Sequence, residues 1–190
     1  MENKKSAVKQ RLVTMPQRDR YSSPWTISTR IKIGIWSFVR IFFFRPTVKK
    51  AYRYRLFLLK MFGAKITGTP FVDASAVIKM PWNLTMEDLS CIGAKTEIYN
   101  LGQVILKSKV VVAQQAYLCG GTHDFNDPEF PLITGEIEIG ENTFIGARAF
   151  IMPGVHIGAN SVIGACSVVA KDMPDNTICM GNPCKPVKAK

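Results

Sequence analysis

Two histidines and five cysteines are the side chains of this sequence from which proton transfer, metal binding or nucleophilic attack would start. His123 lies in the stretch GGTHDF, after two glycines and directly before Asp124. An imidazole beside a carboxylate can be held in one tautomer and made more basic, which suits a general base near neutral pH. We therefore take His123, oriented by Asp124, as the first catalytic candidate. The alternative is a surface-loop histidine without a role.

The other reactive side chains are weaker candidates. His156 lies between Val155 and Ile157, two apolar residues of a repeat, so it should point outward from a flat face. Cys119 could be a nucleophile, but no activating cation is evident, and a buried wall cysteine is the stronger interpretation. Two histidines and five cysteines without a CxxC spacing predict no zinc site and no disulfide framework. We expect no metal and a reducing, cytoplasmic setting.

A six-residue repeat forms the framework for these side chains. Residues 137–172 read IEIGEN TFIGAR AFIMPG VHIGAN SVIGAC SVVAKD. A large aliphatic residue recurs at every sixth position, namely Ile139, Ile145, Ile151, Ile157, Ile163 and Val169. Small or apolar residues stand two positions earlier, as in short strands with one face turned inward, and glycines follow most of the aliphatics where the chain must bend. Three such hexapeptides form one triangular coil of a parallel β-helix.

The repeat also covers the middle of the chain. It begins at Ile66 and shifts by two residues at 80–83, where we predict a distorted corner. Together with 137–172, this gives about five coils. Residues 120–136 have no repeat, so we predict an extruded loop that carries His123. Long loops in compact domains are commonly functional.

The basic character of the chain is confined to its N-terminal third. Net charge is +11, with +14 in residues 1–65 and −3 in the remainder. Residues 1–24 lack periodicity and predict a flexible or loosely packed lead. Residues 25–62 predict two basic, aromatic-rich helices, interrupted by charge too often to span a membrane. Two interpretations stay open, a cap on the first coil and contact with an anionic membrane surface. We expect no nucleic acid partner, since no binding motif is present.

Several motifs together resemble the hexapeptide-repeat O-acetyltransferases, closest to the colanic-acid-biosynthesis type and more distantly to the maltose, galactoside and nodulation acetyltransferases. The motifs are LLKMFGAKI at 58–66, PWNL at 81–84, YNLGQV at 99–104, YLCGGTHDF at 117–125, FIGARAFIMPGVHIGANSVIGACSVV at 144–169 and GNPCKPV at 181–187. The resemblance implies an all-β, left-handed parallel β-helix that forms a homotrimer with active sites between subunits. We accordingly expect a basic helical segment (1–65), a β-helix acyltransferase domain (66–178) and a cofactor-contacting tail (179–190).

The resemblance also implies roles for single residues. Acetyl-CoA would lie in a cleft, and His123 would take the proton of an acceptor hydroxyl that attacks the thioester directly, without an acyl-enzyme. The cofactor positions of the family match Ala147, Ala165, Ala170, Lys171, Lys185 and Lys188. Tyr99 and Asn100 match its acceptor side, with a polar corner of the coil as the alternative. Departures from the family pattern are Phe144 for a frequent Trp, Ala170 for Thr and lysine for arginine in the tail.

These inferences predict a cytoplasmic acetyl-CoA-dependent enzyme that acetylates a sugar hydroxyl in surface polysaccharide or glycolipid biosynthesis. The basic helical segment suggests a lipid-linked acceptor and work at the inner face of the membrane. Two alternatives remain, an N-acyltransferase that acts on an amino sugar and a non-catalytic trimeric scaffold. No motif identifies the sugar or the position acetylated.

Overall fold

A computed structural model describes Val8 and residues 10–190 as a three-sided parallel β-helix preceded by two helices. The first face contains β2 (Lys65–Ile66), β5 (Leu84–Met86), β8 (Val104–Leu106), β13 (Ile137–Ile139) and β16 (His156–Ile157). The second contains β3 (Phe71–Val72), β6 (Cys91–Ile92), β9 (Val111–Val112), β14 (Phe144–Ile145), β17 (Val162–Ile163) and β19 (Thr177–Met180). The third contains β4 (Val77–Ile78), β7 (Glu97–Tyr99), β10 (Tyr117–Cys119), β15 (Phe150–Ile151) and β18 (Val168–Val169).

The predicted repeat is confirmed in both its period and its inward face. The strands form five complete coils, and a bridge between Ile157 and Met173 with β19 adds two sides of a sixth, against about five predicted. All six repeat aliphatics from Ile139 to Val169 are at most 2% exposed. The residues two positions earlier are equally buried, including the polar Thr143, Ser161 and Ser167. Each fully buried aliphatic side chain stabilises such an interior by about 1.5–3 kcal/mol.

The repeat glycines are needed for close approach between coils rather than for the bends. A Cβ on Gly146 would lie 2.5 Å from the backbone nitrogen of Ala165 in the next coil, closer than any side chain tolerates. The left-handed backbone conformation falls instead on other corner residues, among them Asn142, Arg148 and Asn160. The predicted reason for the glycines was therefore wrong. Their position is set by the spacing of neighbouring coils.

The predicted distorted corner at 80–83 is a short 3-10 helix, Pro81–Asn83. The side chain of Asn83 donates from Nδ2 to the carbonyl of Leu101 at 2.9 Å, which ties this corner to the next coil. Two residues are inserted here, so the repeat resumes on the first face with a changed register.

Two helices close the N-terminal end of the prism. Helix α1 (Ile27–Val39) begins after the N-cap Thr26 and continues as a π-helical segment, Arg40–Phe44. A 3-10 turn (Lys49–Ala51) leads into α2 (Tyr52–Met61). Their buried residues, among them Trp36, Phe44 and Leu59, belong to the same core as the first coil. No helix in the described part of the chain combines the length and apolar character needed to cross a bilayer.

The lead segment is packed, in contrast to the loose segment predicted, although residues 1–7 and Lys9 lie outside the described residues. Strand β1 (Leu12–Thr14) pairs antiparallel with β12 (Leu132–Gly135), which pairs with β11 (Gly121–His123). Arg11 binds both oxygens of Asp172 at 2.6 Å, so the lead also reaches the last coils. The extruded loop 120–136 is accordingly a hairpin inside a three-stranded sheet.

Candidate active site

His123 leaves the wall of the prism through two buried glycines. Gly120 and Gly121 follow β10, and a Cβ on Gly120 would lie 2.8 Å from the carbonyl oxygen of Tyr99. The backbone of the hairpin therefore passes close under the neighbouring coil before it turns outward. The ring of His123 ends exposed at the tip of β11, outside the coil.

A backbone carbonyl orients the imidazole of His123. Nδ1 lies 2.7 Å from the carbonyl oxygen of Phe130, on the opposite arm of the hairpin. A carbonyl oxygen can only accept, so Nδ1 carries the hydrogen and the neutral ring keeps its lone pair on Nε2. Phe130 has a φ of +47°, a left-handed conformation that costs a bulky residue free energy and is held here by the surrounding hairpin. This geometry presents Nε2 as a proton acceptor.

The predicted role of Asp124 as the orienting partner does not fit the observed contacts. Its Oδ1 accepts from the backbone N–H of Asn126 at 3.0 Å and from that residue's side chain at 3.3 Å. Asp124 thus forms a turn within the loop. Its backbone N–H donates to the carbonyl of Pro131, which closes the hairpin next to His123. Sequence adjacency to a histidine therefore misidentified the orienting group, which is the Phe130 carbonyl.

Arg20, from the lead segment, forms part of the histidine pocket. The pocket, about 360 Å³ in volume, is open and lined by Arg20, His123 and Phe130. The guanidinium lies 5.0 Å from the centroid of the Phe130 ring and donates to the carbonyl of Pro128. Gln17 accepts a hydrogen bond from the backbone N–H of Leu132, directly across from His123 in the sheet. Neither residue was predicted, because more than 100 residues separate them from the hairpin.

Tyr99 and Cys119 lie side by side on neighbouring strands beneath the hairpin. The thiol of Cys119 donates to the carbonyl of Gly121 at 3.0 Å, and burial raises its pKa. A protonated, half-buried thiol is a poor nucleophile, which agrees with the interpretation of Cys119 as a wall residue. Burial also raises the pKa of Tyr99, whose ring packs near that of Tyr117.

Asn100 is a structural residue, which corrects the predicted contact with an acceptor. The side chain is fully buried. Its Oδ1 accepts from the backbone N–H of Met80 at 2.9 Å, and its Nδ2 donates to the Met80 carbonyl at 2.6 Å. Both ends of the amide are occupied by one residue of the neighbouring corner. The alternative of a polar corner, left open by the sequence, fits Asn100.

The six predicted cofactor residues fall into two groups and one separate lysine. Ala147 and Ala165 stack at one edge of the prism, where the N–H of Cys166 donates to the carbonyl of Ala147. Ala170, Lys171 and Lys185 line a pocket of about 270 Å³ with Pro183 and Cys184. Lys188 is exposed on β20 (Lys185–Ala189), the strand that forms a hairpin with β19.

A larger groove of about 560 Å³ on the first face has the wrong charge for a phosphate-bearing cofactor. Five carboxylates and two cationic side chains line it, namely Glu87, Glu138, Glu141, Asp172, Asp175, Arg11 and Lys107. At the same face, Glu136, Glu138 and His156 place possible metal-ligand atoms within 4.8 Å of one another. His156 points outward, as predicted, and its Nε2 lies 3.3 Å from a Glu136 oxygen. This arrangement is an ion pair when His156 is protonated.

Comparison with known proteins identifies the family. Residues 136–171 match the model of the bacterial transferase hexapeptide (six repeats). The chain is 38% identical over 153 residues to a protein of Escherichia coli (strain K12) named "Putative colanic acid biosynthesis acetyltransferase WcaF", with 80% of this chain and 84% of that protein covered. The chain belongs to the hexapeptide-repeat acetyltransferases. The resemblance noted in the sequence is thereby confirmed, and the protein is an acyltransferase by family.

Solved structures of hexapeptide-repeat acetyltransferases share the fold. A maltose O-acetyltransferase from Clostridium difficile 630 matches with a TM-score of 0.74 and 24% identity over 86% of this chain and 89% of that one. The acetyltransferase VCA0836 from Vibrio cholerae O1 biovar eltor, solved with acetyl-CoA, matches with a TM-score of 0.74 and 18% identity, covering 85% and 87%. Both confirm the parallel β-helix fold.

Proposed function

We propose that this hexapeptide-repeat acetyltransferase transfers an acetyl group from acetyl-CoA to a sugar hydroxyl, with His123 as general base. The observation that carries the proposal is the exposed ring of His123, whose Nδ1 is held by the Phe130 carbonyl while Nε2 stays available beside an open pocket. The acetyl-CoA complex of the Vibrio protein supports the donor. The name of the Escherichia coli relative supports an acceptor from surface polysaccharide or glycolipid biosynthesis.

The proposed reaction is a direct displacement. Nε2 of His123 accepts the hydroxyl proton while the acceptor oxygen bonds to the thioester carbon. The resulting oxyanion needs a hydrogen-bond donor, for which we expect a backbone N–H. The carbon–sulfur bond then breaks, and the imidazolium returns its proton to the CoA thiolate. Nδ1 donates to the Phe130 carbonyl in both protonation states of the ring, so the orientation of the imidazole is kept throughout.

We further propose that the β-helix is left-handed and that the protein forms a homotrimer with the active sites between subunits. His123 follows β10 at the edge between the third and first faces, and the pocket of Lys171 and Lys185 lies at that same edge. Ala147 and Ala165 lie at the edge between the second and third faces. A cleft between two copies would bring both edges to one acetyl-CoA, with Lys188 of the tail near its phosphates. Tyr99 would lie on the acceptor side.

We place the enzyme in the cytoplasm, at the inner face of the membrane, with a lipid-linked acceptor. Residues 25–62 carry nine Lys and Arg and no Asp or Glu, a composition suited to an anionic surface. If the acceptor is lipid-linked, the enzyme should prefer an oligosaccharide lipid in vesicles to the same oligosaccharide in solution. Equal kcat/KM for the two acceptors would contradict this part of the proposal.

The experiment that tests the chemistry offers acetyl-CoA with candidate oligosaccharides and measures both thiol release and the acceptor mass. We expect thiol release that depends on the acceptor, and an acetylated product that mild base reverts, since esters but not amides are labile to it. A base-stable product would instead identify an N-acyltransferase. Folded His123→Ala protein with undiminished thiol release would show that His123 is not the base. No acetylated product from any acceptor would favour the scaffold.

A further inference from the structure

Helix α1 and the π-helical segment expose a continuous apolar stripe, which we call the α1 stripe. Its residues are 48–74% exposed and comprise Ile27, Ile31, Ile35, Phe38, Ile41, Phe42 and Phe43. The first five recur at intervals of three or four residues, so they lie on one face of the helix. Gly34 falls within the stripe and has no atom within 4 Å of its Cβ position. The rings of Phe38 and Phe42 contact each other in a tilted arrangement, with centroids 4.7 Å apart.

The α1 stripe is not needed to hold the helix on the protein. The opposite face of α1 buries Trp36, whose Nε1 donates to the carbonyl of Ile78 at 2.7 Å, and Phe44 is buried with it. That packing caps the first coil and accounts for the fold of the segment. Contiguous exposed apolar surface of this kind marks an interaction site on a soluble domain. The two interpretations left open by the sequence therefore apply to different faces of one helix. The buried face of α1 caps the first coil, and the exposed face is the candidate for membrane contact.

The charge around the α1 stripe selects the partner. Seven of the nine basic residues in 25–62 are exposed, namely Arg30, Lys32, Arg45, Lys49, Lys50, Arg53 and Lys60. No acidic residue occurs between Asp19 and Asp73 to balance them. A second copy of this surface would bring like charges together, which disfavours self-association. A phospholipid bilayer has an apolar interior covered with anionic phosphates. It therefore matches both the apolar α1 stripe and the positive charge around it.

We propose that the α1 stripe docks on an anionic phospholipid bilayer, with α1 lying in the plane of the interface. This inference rests on the proposed function, in which the enzyme acts at a membrane surface, and it assigns the part of the protein that contacts the membrane. The helix and its π-helical extension, Ile27–Phe44, are about 27 Å long, and their apolar side chains would enter the boundary between headgroups and acyl chains. The exposed lysines and arginines would meet the phosphates.

The same helix shares a small hydrophobic cluster with the histidine hairpin. Ile33 of α1 and Trp25 before it pack against a small cluster that contains Leu132. Leu132 pairs directly with His123 in the sheet. Docking through the opposite face of α1 would therefore hold the histidine pocket at a fixed height above the bilayer. An acceptor sugar carried by a lipid would be presented at that height.

Vesicle sedimentation with the full chain tests the proposal. We expect binding to vesicles of phosphatidylcholine with phosphatidylglycerol, weak binding to phosphatidylcholine alone, and loss of binding as salt is raised. Phe38→Ser/Phe42→Ser should weaken binding by about 10- to 100-fold, because two exposed aromatic anchors are removed. The matched control is Leu89→Ser, which removes an exposed apolar residue from the body of the prism. Lys49→Glu/Lys50→Glu should also weaken binding, against Lys79→Glu/Lys95→Glu as its control.

The outcomes separate docking from catalysis. Wild-type protein that fails to sediment, or the Phe38/Phe42 variant that sediments like wild type, would overturn the proposal. Lipid-free assembly into larger oligomers that this variant abolishes would identify a second copy as the occupant, and would also overturn it. The variant should acetylate a soluble acceptor at the wild-type rate, since both side chains are exposed on the α1 stripe and neither lines the histidine pocket. Absence of acetyl transfer by every protein would refute the proposed function while leaving vesicle binding to be judged separately.

Discussion

The imidazole of His123 is held by the backbone of a residue seven positions later. The Phe130 carbonyl at 2.7 Å leaves Nε2 as the only lone pair of the neutral ring. The sequence predicted His123 from its place in the loop that extrudes from the repeat, and the structure puts that ring on an accessible pocket. The orienting group could not be predicted from the sequence. It is a main-chain carbonyl, which every residue type has, so the identity of residue 130 does not reveal the role.

Substitution of Asp124 should be far milder than substitution of His123. Asp124→Asn keeps a side-chain oxygen that accepts from Asn126, so we expect kcat to stay within about threefold of wild type. His123→Asn removes the proton acceptor and should lower kcat by about 10²–10⁴. Steady-state thiol release measures both. Equal losses in the two variants would mean that Asp124 orients the base after all.

Cys119 should be dispensable for transfer. Burial raises the pKa of its thiol, and the hydrogen bond to Gly121 ties the sulfur to the wall. Cys119→Ser should retain at least about a third of the wild-type rate, and intact-protein mass spectrometry with acetyl-CoA alone should show no acetyl-enzyme. Cys166 is exposed and should be alkylated before Cys119. An acetylated Cys119 would replace the direct mechanism with a two-step one.

At the scale of elements, the lead segment completes the sheet of the hairpin that carries His123. Strand β1 covers the free edge of β12, and Arg20 spans the hairpin tip through the Phe130 ring and the Pro128 carbonyl. The repeat made the β-helix predictable, because a fixed period identifies each coil locally. The three-residue strand β1 has no such period, and its partner is distant in sequence.

Arg20 should position the hairpin that carries His123. Arg20→Ala removes the cation over Phe130 and the bond to Pro128, and we expect kcat to fall about 5- to 20-fold with little change in the KM for acetyl-CoA. Arg20→Lys keeps the charge and should recover part of the loss. Arg18→Ala is the control, since only the backbone of Arg18 makes a described contact. An unchanged kcat in Arg20→Ala would show that Arg20 does not position the hairpin.

Arg55 should anchor the turn between the two helices. It is fully buried and donates to the carbonyls of Val72, Val48 and Lys49. Arg55→Met removes all three of these buried hydrogen bonds, so we expect the free energy of unfolding to fall by about 2–4 kcal/mol. Urea denaturation measures this. Arg53→Ala, on the exposed side of the same helix, should change stability by less than about 0.5 kcal/mol. Equal losses of unfolding free energy in the two variants would show that buried Arg55 stabilises the fold no more than an exposed arginine does.

At the scale of the whole molecule, charge and shape divide the chain between two tasks. The N-terminal third holds +14 of charge and the apolar α1 stripe, while the prism with its hairpin holds the candidate catalytic residues and a slight negative charge. Net charge and its distribution were evident from the sequence. Which faces of the helices stay exposed was not, because that depends on how α1 packs on the first coil.

If each active site is shared between two subunits, mixing two inactive variants should restore part of the activity. His123→Ala removes the proposed base, and Ala165→Trp would obstruct the proposed cofactor edge on the other side of the third face. Randomly mixed trimers should regain about a quarter of the wild-type activity, since half of the subunits supply each intact edge. Co-purification of differently tagged variants, with size-exclusion chromatography, checks that mixed trimers form. Mixed trimers without activity would place each site within one copy.

The pairing of Leu12 with Gly135 has a consequence for synthesis on the ribosome. These residues are 123 positions apart in the chain. At a translation rate of about 5–20 residues per second, Gly135 is made roughly 6–25 s after Leu12. The early coils can stack during that interval, because their partners are local in the chain. The sheet around His123 must be assembled later, when β1 returns to pair with β12 and close it.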